Sequence, residues 1–286
     1  MKITDIITQS KPSLSFEVFP PKTSDKYETV SNAVNEIAKL SPSYISVTYG
    51  AGGGTSLYTT NIASEIAGYG ITPLAHLSCI SSTKEQINVQ LEKLSSIGIS
   101  NILALRGDIP KDAMFNRYEY RYASELVSDI KKFGSFCIGG ACYPECHPES
   151  DSMQADLEHL KIKVDSGCEY LTTQMFFDNE VFYRFVERAS SVDIHIPIIA
   201  GIMPITSYAQ IARIVDLSGH ALPSQLKCIL DKYKDDPISL KQAGVEYASK
   251  QARDIYENGF GAVHIYTMNK PEVAREIQIN LWDIVK

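Results

Sequence analysis

The sequence predicts an α/β protein in which eight parallel strands alternate with helices and close into a (β/α)8 barrel. Three observations carry that prediction: eight short β-branched or aromatic runs, helical patterns between them, and even spacing with no long interruption. Strict alternation calls for a parallel sheet with right-handed crossovers. Eight such units fit barrel closure better than an open doubly wound sheet, so all 286 residues are expected in a single TIM barrel, residues 1–286, with no linker and no regulatory domain.

The expected strands are Leu14–Phe19, Tyr44–Tyr49, Thr72–Cys79, Asn101–Gly107, Cys137–Tyr143, Tyr170–Phe177, Pro197–Met203 and Ala262–Met268. Among the helical stretches, Tyr27–Leu40 and Lys84–Ile97 are amphipathic. In the second, Ile87, Leu91, Leu94 and Ile97 recur at helical spacing. Two insertions lengthen the regular pitch: Ile109–Arg117 after the fourth strand, and Asp216–Asp236, which separates two helical stretches between the seventh and eighth strands. Pro271–Lys286 reads as the eighth helix.

Composition narrows the function classes. A chain that is 44% apolar and 21% charged is neither disordered nor fibrous. Its formal net charge of −7 removes the electrostatic basis for sequence-independent binding to nucleic acid or anionic lipid, which favours a small-molecule partner. Met1–Ser10 has no apolar core for a signal peptide, and no run approaches a membrane span. A cytoplasmic location follows as an expectation, with Cys79, Cys137, Cys142, Cys146, Cys168 and Cys228 as free thiols.

Strand phase indicates which polar groups point into the barrel. Leu14, Phe16 and Val18 form one phase of the first strand, leaving Ser15 and Glu17 on the other; Ser46 and Thr48 are similarly set against Ile45, Val47 and Tyr49. Leu74, His76 and Ser78 share a phase in the third strand, as do Thr172 and Gln174 in the sixth. Glu17 precedes Phe19-Pro20-Pro21 at a strand end, where desolvation raises a carboxyl toward general-acid range; an interior ion pair is the alternative. Arg106-Gly107-Asp108 closes the fourth strand, either as a ligand contact or as a surface ion pair. The loop Gly50–Gly54 suits a phosphate or a flat ring, but the chain has no G-x-G-x-x-G or Walker pattern. Cys142, Cys146 and His147 raise zinc, although a site would need a further ligand; spectator thiols and no metal are the expectation. His195, His220 and His264 read as structural, and Tyr118, Tyr120 and Tyr122 either offer stacking faces or open a helix.

Taken together, Ser15-Phe16-Glu17-Val18-Phe19-Pro20-Pro21-Lys22, Ser46-Val47-Thr48-Tyr49-Gly50-Ala51, Ala104-Leu105-Arg106-Gly107-Asp108, Tyr143-Pro144-Glu145 with His147-Pro148-Glu149, Gln174-Met175-Phe176-Phe177-Asp178 and Gly201-Ile202-Met203-Pro204 resemble the methylenetetrahydrofolate reductase family in its short bacterial form. The likeness is nearly full length, and six short motifs in the right order on the right strand ends are specific. It implies FAD tightly bound at the C-terminal mouth without a Rossmann motif and reduced by NADH or NADPH. Hydride then passes, in ping-pong fashion, to 5,10-methylenetetrahydrofolate to give 5-methyltetrahydrofolate, in one-carbon metabolism and methionine biosynthesis.

By the same resemblance, Glu17 is the general acid and Asp108 a carboxylate near both flavin and pterin. Flavin contacts fall to Thr48, Tyr49, Ala51, His76, Arg106, Gly107, Asp108, Tyr122, Ala123, Tyr143, His147, Asp156 and Lys163, and folate or nicotinamide contacts to Asp108, Gln174, Gln210 and Lys270. Three positions depart from the pattern. His159 and Ile162 stand where asparagine and arginine are usual, with Lys161 and Lys163 nearby; Lys270 replaces an arginine, keeping charge but losing the bidentate fork. A homo-oligomer is the expected assembly, with a partner subunit as an alternative electron supply. Two rival readings stay open: another barrel enzyme acting on a phosphorylated substrate, and a catalytically weak barrel serving as a binding partner.

Overall fold

The computed structural model describes residues 1–49, 56–109, 119–134, 136–218 and 222–286. All eight expected strands form: β1 (Ser13–Val18), β2 (Ile45–Val47), β3 (Pro73–Ser78), β4 (Asn101–Leu105), β5 (Cys137–Cys142), β6 (Tyr170–Thr173), β7 (Ile198–Ile202) and β8 (Ala262–Tyr266). They close in sequence order, every neighbouring pair is parallel, and β1 seals against β8 from Ser13 opposite Ala262 to Glu17 opposite Tyr266. The expected runs overshoot the ladder at their C-terminal ends. Phe19, Thr48, Arg106, Tyr143 and Gln174 leave the sheet as the first residues of the mouth loops.

The helices are α1 (Ile3–Ile7), α2 (Tyr27–Ala38), α3 (Ser56–Gly68), α4 (Lys84–Ser96), α5 (Ala123–Phe133), α6 (Met153–Asp165), α7 (Asn179–Ser191), α8 (Tyr208–Ser218), α9 (Ser224–Lys232), α10 (Pro237–Glu257), α11 (Pro271–Asn280) and α12 (Trp282–Val285). Local chemistry sets several of the starts. Thr83 and Gln86 cap α4 reciprocally, at 3.1 and 2.9 Å; Ser152 caps α6; Asp236 caps α10, with Pro237 at its first position. Phase holds as expected: Leu14, Phe16, Val18, Ile45 and Val47 face outward and pack with Val34, Ile37, Ile62 and Ile66 of α2 and α3.

Three details differ from the expected element pattern. The stretch Asp216–Asp236 contains a helix, α9, because Leu226 and Leu230, one turn apart, bury against Ile205, Ile211 and Leu240. Pro271–Lys286 breaks at Leu281 into α11 and α12. Met1–Ser10 also holds α1, whose Ile3, Ile6 and Ile7 close the barrel floor against Tyr44, Leu74, Leu103, Tyr170 and Ile199. Asn101 ties that plug down by accepting from the Ile3 N–H at 2.9 Å and donating to the Met1 and Pro73 carbonyls. The floor is tightly filled: a Cβ on Gly139 would lie 2.4 Å from the Tyr170 ring, so only glycine leaves that ring its place. The Gly50–Gly54 loop, Ala51, most of Ile109–Arg117, Tyr118 and His220 lie outside the described residues.

Candidate active site at the barrel mouth

Above the apolar floor the barrel interior turns polar. Ser15 and Glu17 of β1, Ser46 of β2, His76 of β3, Thr172 of β6 and His264 of β8 are all buried. Alternation along each strand turns them inward, as the sequence phase predicts for all but His264, which had been read only as structural. Its signal was present, since Ala262, His264 and Tyr266 alternate with the apolar Val263 and Ile265.

Glu17 sits at the centre of this group. One carboxyl oxygen lies 3.6 Å from His76 Nε2 and 4.0 Å from His264 Nε2. These contacts are not ion pairs. Burial pushes the Glu17 carboxyl up to about 8, only partly offset by the Ser46 hydroxyl, and burial pulls both imidazoles down to about 3. At neutral pH the cluster therefore holds a protonated acid between two uncharged rings, because an unbalanced charge in a dry interior is the more costly state. His76 Nε2 and Thr172 Oγ1 are buried without hydrogen-bond partners among the described residues.

The rim between β4 and α6 gathers most of the cofactor candidates. Arg106 donates two hydrogen bonds to the Glu149 carboxylate, at 2.6 and 2.7 Å, a planar fork that raises its pKa. The alternative of an Arg106–Asp108 surface pair is thereby not the main one, although the exposed Asp108 adds a weaker attraction. The Tyr143 ring meets His147 edge-on, with centroids 4.5 Å apart. The His147 N–H donates to Asp156 at 3.0 Å, and burial with the nearby Arg106 lowers the imidazole pKa. The Lys163 ammonium donates to the Ala141 carbonyl at 2.5 Å, and burial lowers its pKa too. Gly107 sits at φ +87, with the Ser78 and Ile80 side chains beneath it, a backbone angle that side-chain-bearing residues rarely adopt.

A second group lies between β7 and β8. Lys270 donates to Thr206 Oγ1 at 2.6 Å, and Thr206 in turn donates to Gln210 Oε1 at 3.0 Å. Gln174 is exposed just beyond β6, with its side-chain oxygen on the Met175 N–H. Thr48 follows β2, its carbonyl accepting from Thr59, and Tyr49 packs on the outer core. Tyr122 is exposed as the N-cap of α5, directly before Ala123, whereas Tyr120 is buried and donates to Asp129. His159 and Ile162 are exposed on α6, and Lys161 is paired with Asp165. Cys142 turns outward into the core beneath α6, so it does not converge with His147. Among the described residues, no three His, Cys, Asp or Glu side chains are arranged to hold a metal ion.

The donor set suits a large anionic group rich in acceptors. Arg106 and Lys163 carry positive charge, engaged here by Glu149 and the Ala141 carbonyl, His76 and His147 supply ring nitrogens, and His76 Nε2 and Thr172 Oγ1 have no partner among the described residues. By that test, the residues present fit a flavin dinucleotide.

Barrel enzymes keep their chemistry at the C-terminal ends of the strands, and the contrast between an apolar floor and a titrating mouth puts this chain in that class. Comparison with known proteins narrows the class. A family model described as methylenetetrahydrofolate reductase matches residues 2–281, and the chain belongs to that family. It is 35% identical to the 5,10-methylenetetrahydrofolate reductase of Pectobacterium carotovorum subsp. carotovorum and 36% identical to that of Escherichia coli K12, each over 94% of this chain and 90% of the relative. It is also 35% identical to methylenetetrahydrofolate reductase (NADH) 1 of Arabidopsis thaliana, covering 98% of this chain and 50% of that protein. A solved structure of an uncharacterized Clostridium thermocellum protein that binds two copies of 5-methyl-5,6,7,8-tetrahydrofolic acid shares the fold, with a TM-score of 0.69 at 14% identity over 99% of this chain and 100% of that one. Among the described residues, no helix is long and apolar enough to cross a membrane.

Proposed function

We propose that this barrel, acting as one catalytic domain in the cytoplasm, reduces 5,10-methylenetetrahydrofolate to 5-methyltetrahydrofolate with electrons from NADH or NADPH, donor and acceptor using the mouth in turn. FAD, when bound there, supplies the hydride transfer between the two. Arg106, Tyr143, His147, Asp156 and Lys163 would hold it on the rim and His76 at the interior, with Thr48, Tyr49, Ala51, Gly107, Tyr122 and Ala123 completing its surroundings. Gln174, Gln210 and Lys270 would orient pterin or nicotinamide.

The observation that carries this reading is Glu17, a carboxyl buried at the barrel's centre beside His76 and His264, where burial pushes its pKa up to about 8. Opening the methylene bridge of the folate needs a proton on the departing nitrogen, and a group whose pKa is near working pH is suited to give it. Asp108, exposed at the end of β4, provides negative charge where a cationic iminium develops, which lowers the barrier to its formation.

The purified protein is expected to show the visible absorbance of bound flavin and to be bleached by NADH or NADPH. Glu17→Gln should leave that bleaching within a few-fold of native while slowing reoxidation by methylenetetrahydrofolate about 10²–10⁴-fold. Equal loss in both half-reactions would contradict the assignment. Asp108→Asn should slow only the folate half-reaction and raise the flavin potential; an unchanged potential removes the electrostatic reason for this carboxylate.

A further inference from the structure

His264 is placed like a component of the acid rather than a filler of the core. Its ring lies parallel to Tyr44, with centroids 5.5 Å apart, and edge-on to Tyr266. Each ring nitrogen meets a serine hydroxyl: Ser15 Oγ at 2.8 Å from Nδ1 and Ser46 Oγ at 3.0 Å from Nε2. The Ser15 hydroxyl also lies 3.2 Å from the Val263 carbonyl, which can only accept. With the Ser15 hydrogen on that carbonyl, Ser15 accepts from Nδ1–H and Nε2 becomes a bare acceptor for the Ser46 hydrogen. The other direction open to that hydrogen is the Glu17 carboxyl, where it would stabilise the ionised form.

We propose that His264 carries its hydrogen on Nδ1 and is a positioning residue for Glu17: by competing on Nε2 for the Ser46 hydrogen it limits what that hydrogen gives the carboxylate and favours the protonated acid used at the mouth. The inference rests on the reading of Glu17 as proton donor. An ionised carboxylate gains more from a hydroxyl donor than a neutral acid does, so the direction of one O–H bond sets the balance between the two forms. The other groups facing Glu17 do not supply such a donor through a charged state. His76 on β3 is uncharged, and Tyr44 and Tyr266 keep their protons, held upward by burial and by the Glu17 charge itself.

Opposed variants test this. His264→Phe keeps the stack on Tyr44 and frees the Ser46 hydrogen for Glu17. The alkaline limb of the folate half-reaction should fall by about one pH unit or more, while flavin reduction keeps its pH profile. The infrared carbonyl band of protonated Glu17, identified by its loss in Glu17→Gln, should disappear at correspondingly lower pH. Ser46→Ala should leave that titration near its native pH, and His264→Phe combined with Ser46→Ala should reverse the single-variant shift. Nitrogen-15 shifts of native His264 should report hydrogen on Nδ1. The proposal fails if His264→Phe leaves the titration in place, if Ser46→Ala shifts it as much in either direction, or if the hydrogen sits on Nε2. Should His264→Phe not fold, Ser46→Ala and the native tautomer still decide. If Glu17→Gln instead retains the folate half-reaction, the general-acid reading falls, while the infrared titration still tests the link between His264 and Glu17.

Discussion

The two ends of the barrel solve opposite problems. At the floor, Ile3, Ile6 and Ile7 fill the opening against Tyr44, Leu74, Leu103 and Ile199; the Asn101 amide is satisfied on both its oxygen and its nitrogen, while the Tyr44 and Tyr170 hydroxyls have no partner among the described residues. At the mouth, His76 Nε2 and Thr172 Oγ1 likewise lack a partner among the described residues, but here a carboxyl, Glu17, is held far from its ordinary ionisation. The floor spends burial on stability; the mouth gives up stability to keep polar groups dry and available. Mutations at the two ends should accordingly read out in different quantities.

The largest expected effect on stability is at the floor. Leu74→Ala, at a site 1% exposed, should lower unfolding free energy by about 2–5 kcal/mol in denaturant titrations, with both half-reactions of the folded fraction unchanged. A matching loss of activity would erase the separation between the ends.

Next comes pH. Glu17 rises from 4.5 unfolded to about 8 folded, so the native state binds the extra proton and stability declines as pH climbs through that window. His76 and His264 fall from 6.5 to about 3, so the unfolded state binds the extra protons and stability declines as pH drops below 6.5. The cluster alone therefore gives an optimum near the ordinary histidine value. Thermal melts across this range should show decline on both sides; Glu17→Gln should flatten the alkaline side and steepen the acid side above pH 4.5, where the carboxyl opposes the histidines. An unchanged alkaline slope would mean the carboxyl ionises normally.

Smaller still, Asn101→Ala should cost about 1–3 kcal/mol by stranding the Ile3 N–H, with faster amide exchange in α1 as the local signature. Smallest is Glu149→Gln on the rim. This carboxylate is half exposed, so its pair with Arg106 contributes about 1 kcal/mol or less to folding; the change should appear instead as altered flavin affinity, because it releases Arg106. A stability loss as large as that of Leu74→Ala would show that rim and floor are not distinct.

Much of this was legible in the chain. Short β-branched runs at even spacing marked all eight strands, and period-two alternation turned Glu17 and His76 inward, because barrel geometry ties side-chain direction to strand phase. Other features were not legible, for particular reasons. Helix α1 has only five residues, too few for helical periodicity to register, and it forms because the barrel floor needs a plug. Helix α9 lies where an insertion was read, and it is held by apolar contacts to β7 and α10 flanks that no local pattern reveals. The partner of Arg106 is 43 residues away, and the serine that meets His264 Nδ1 is 249 residues away.

By itself, then, the sequence determined the strand count, the phase of each strand and a carboxylate at a strand end. Only the closed barrel decided that this carboxylate is dry, that two uncharged imidazoles flank it, and that the Ser46 hydroxyl meets His264 Nε2 beside it. The physical reason is that ionisation depends on what surrounds a group in space. Barrel closure brings β1, β2, β3 and β8 around Glu17, although β1 and β8 are at opposite ends of the chain.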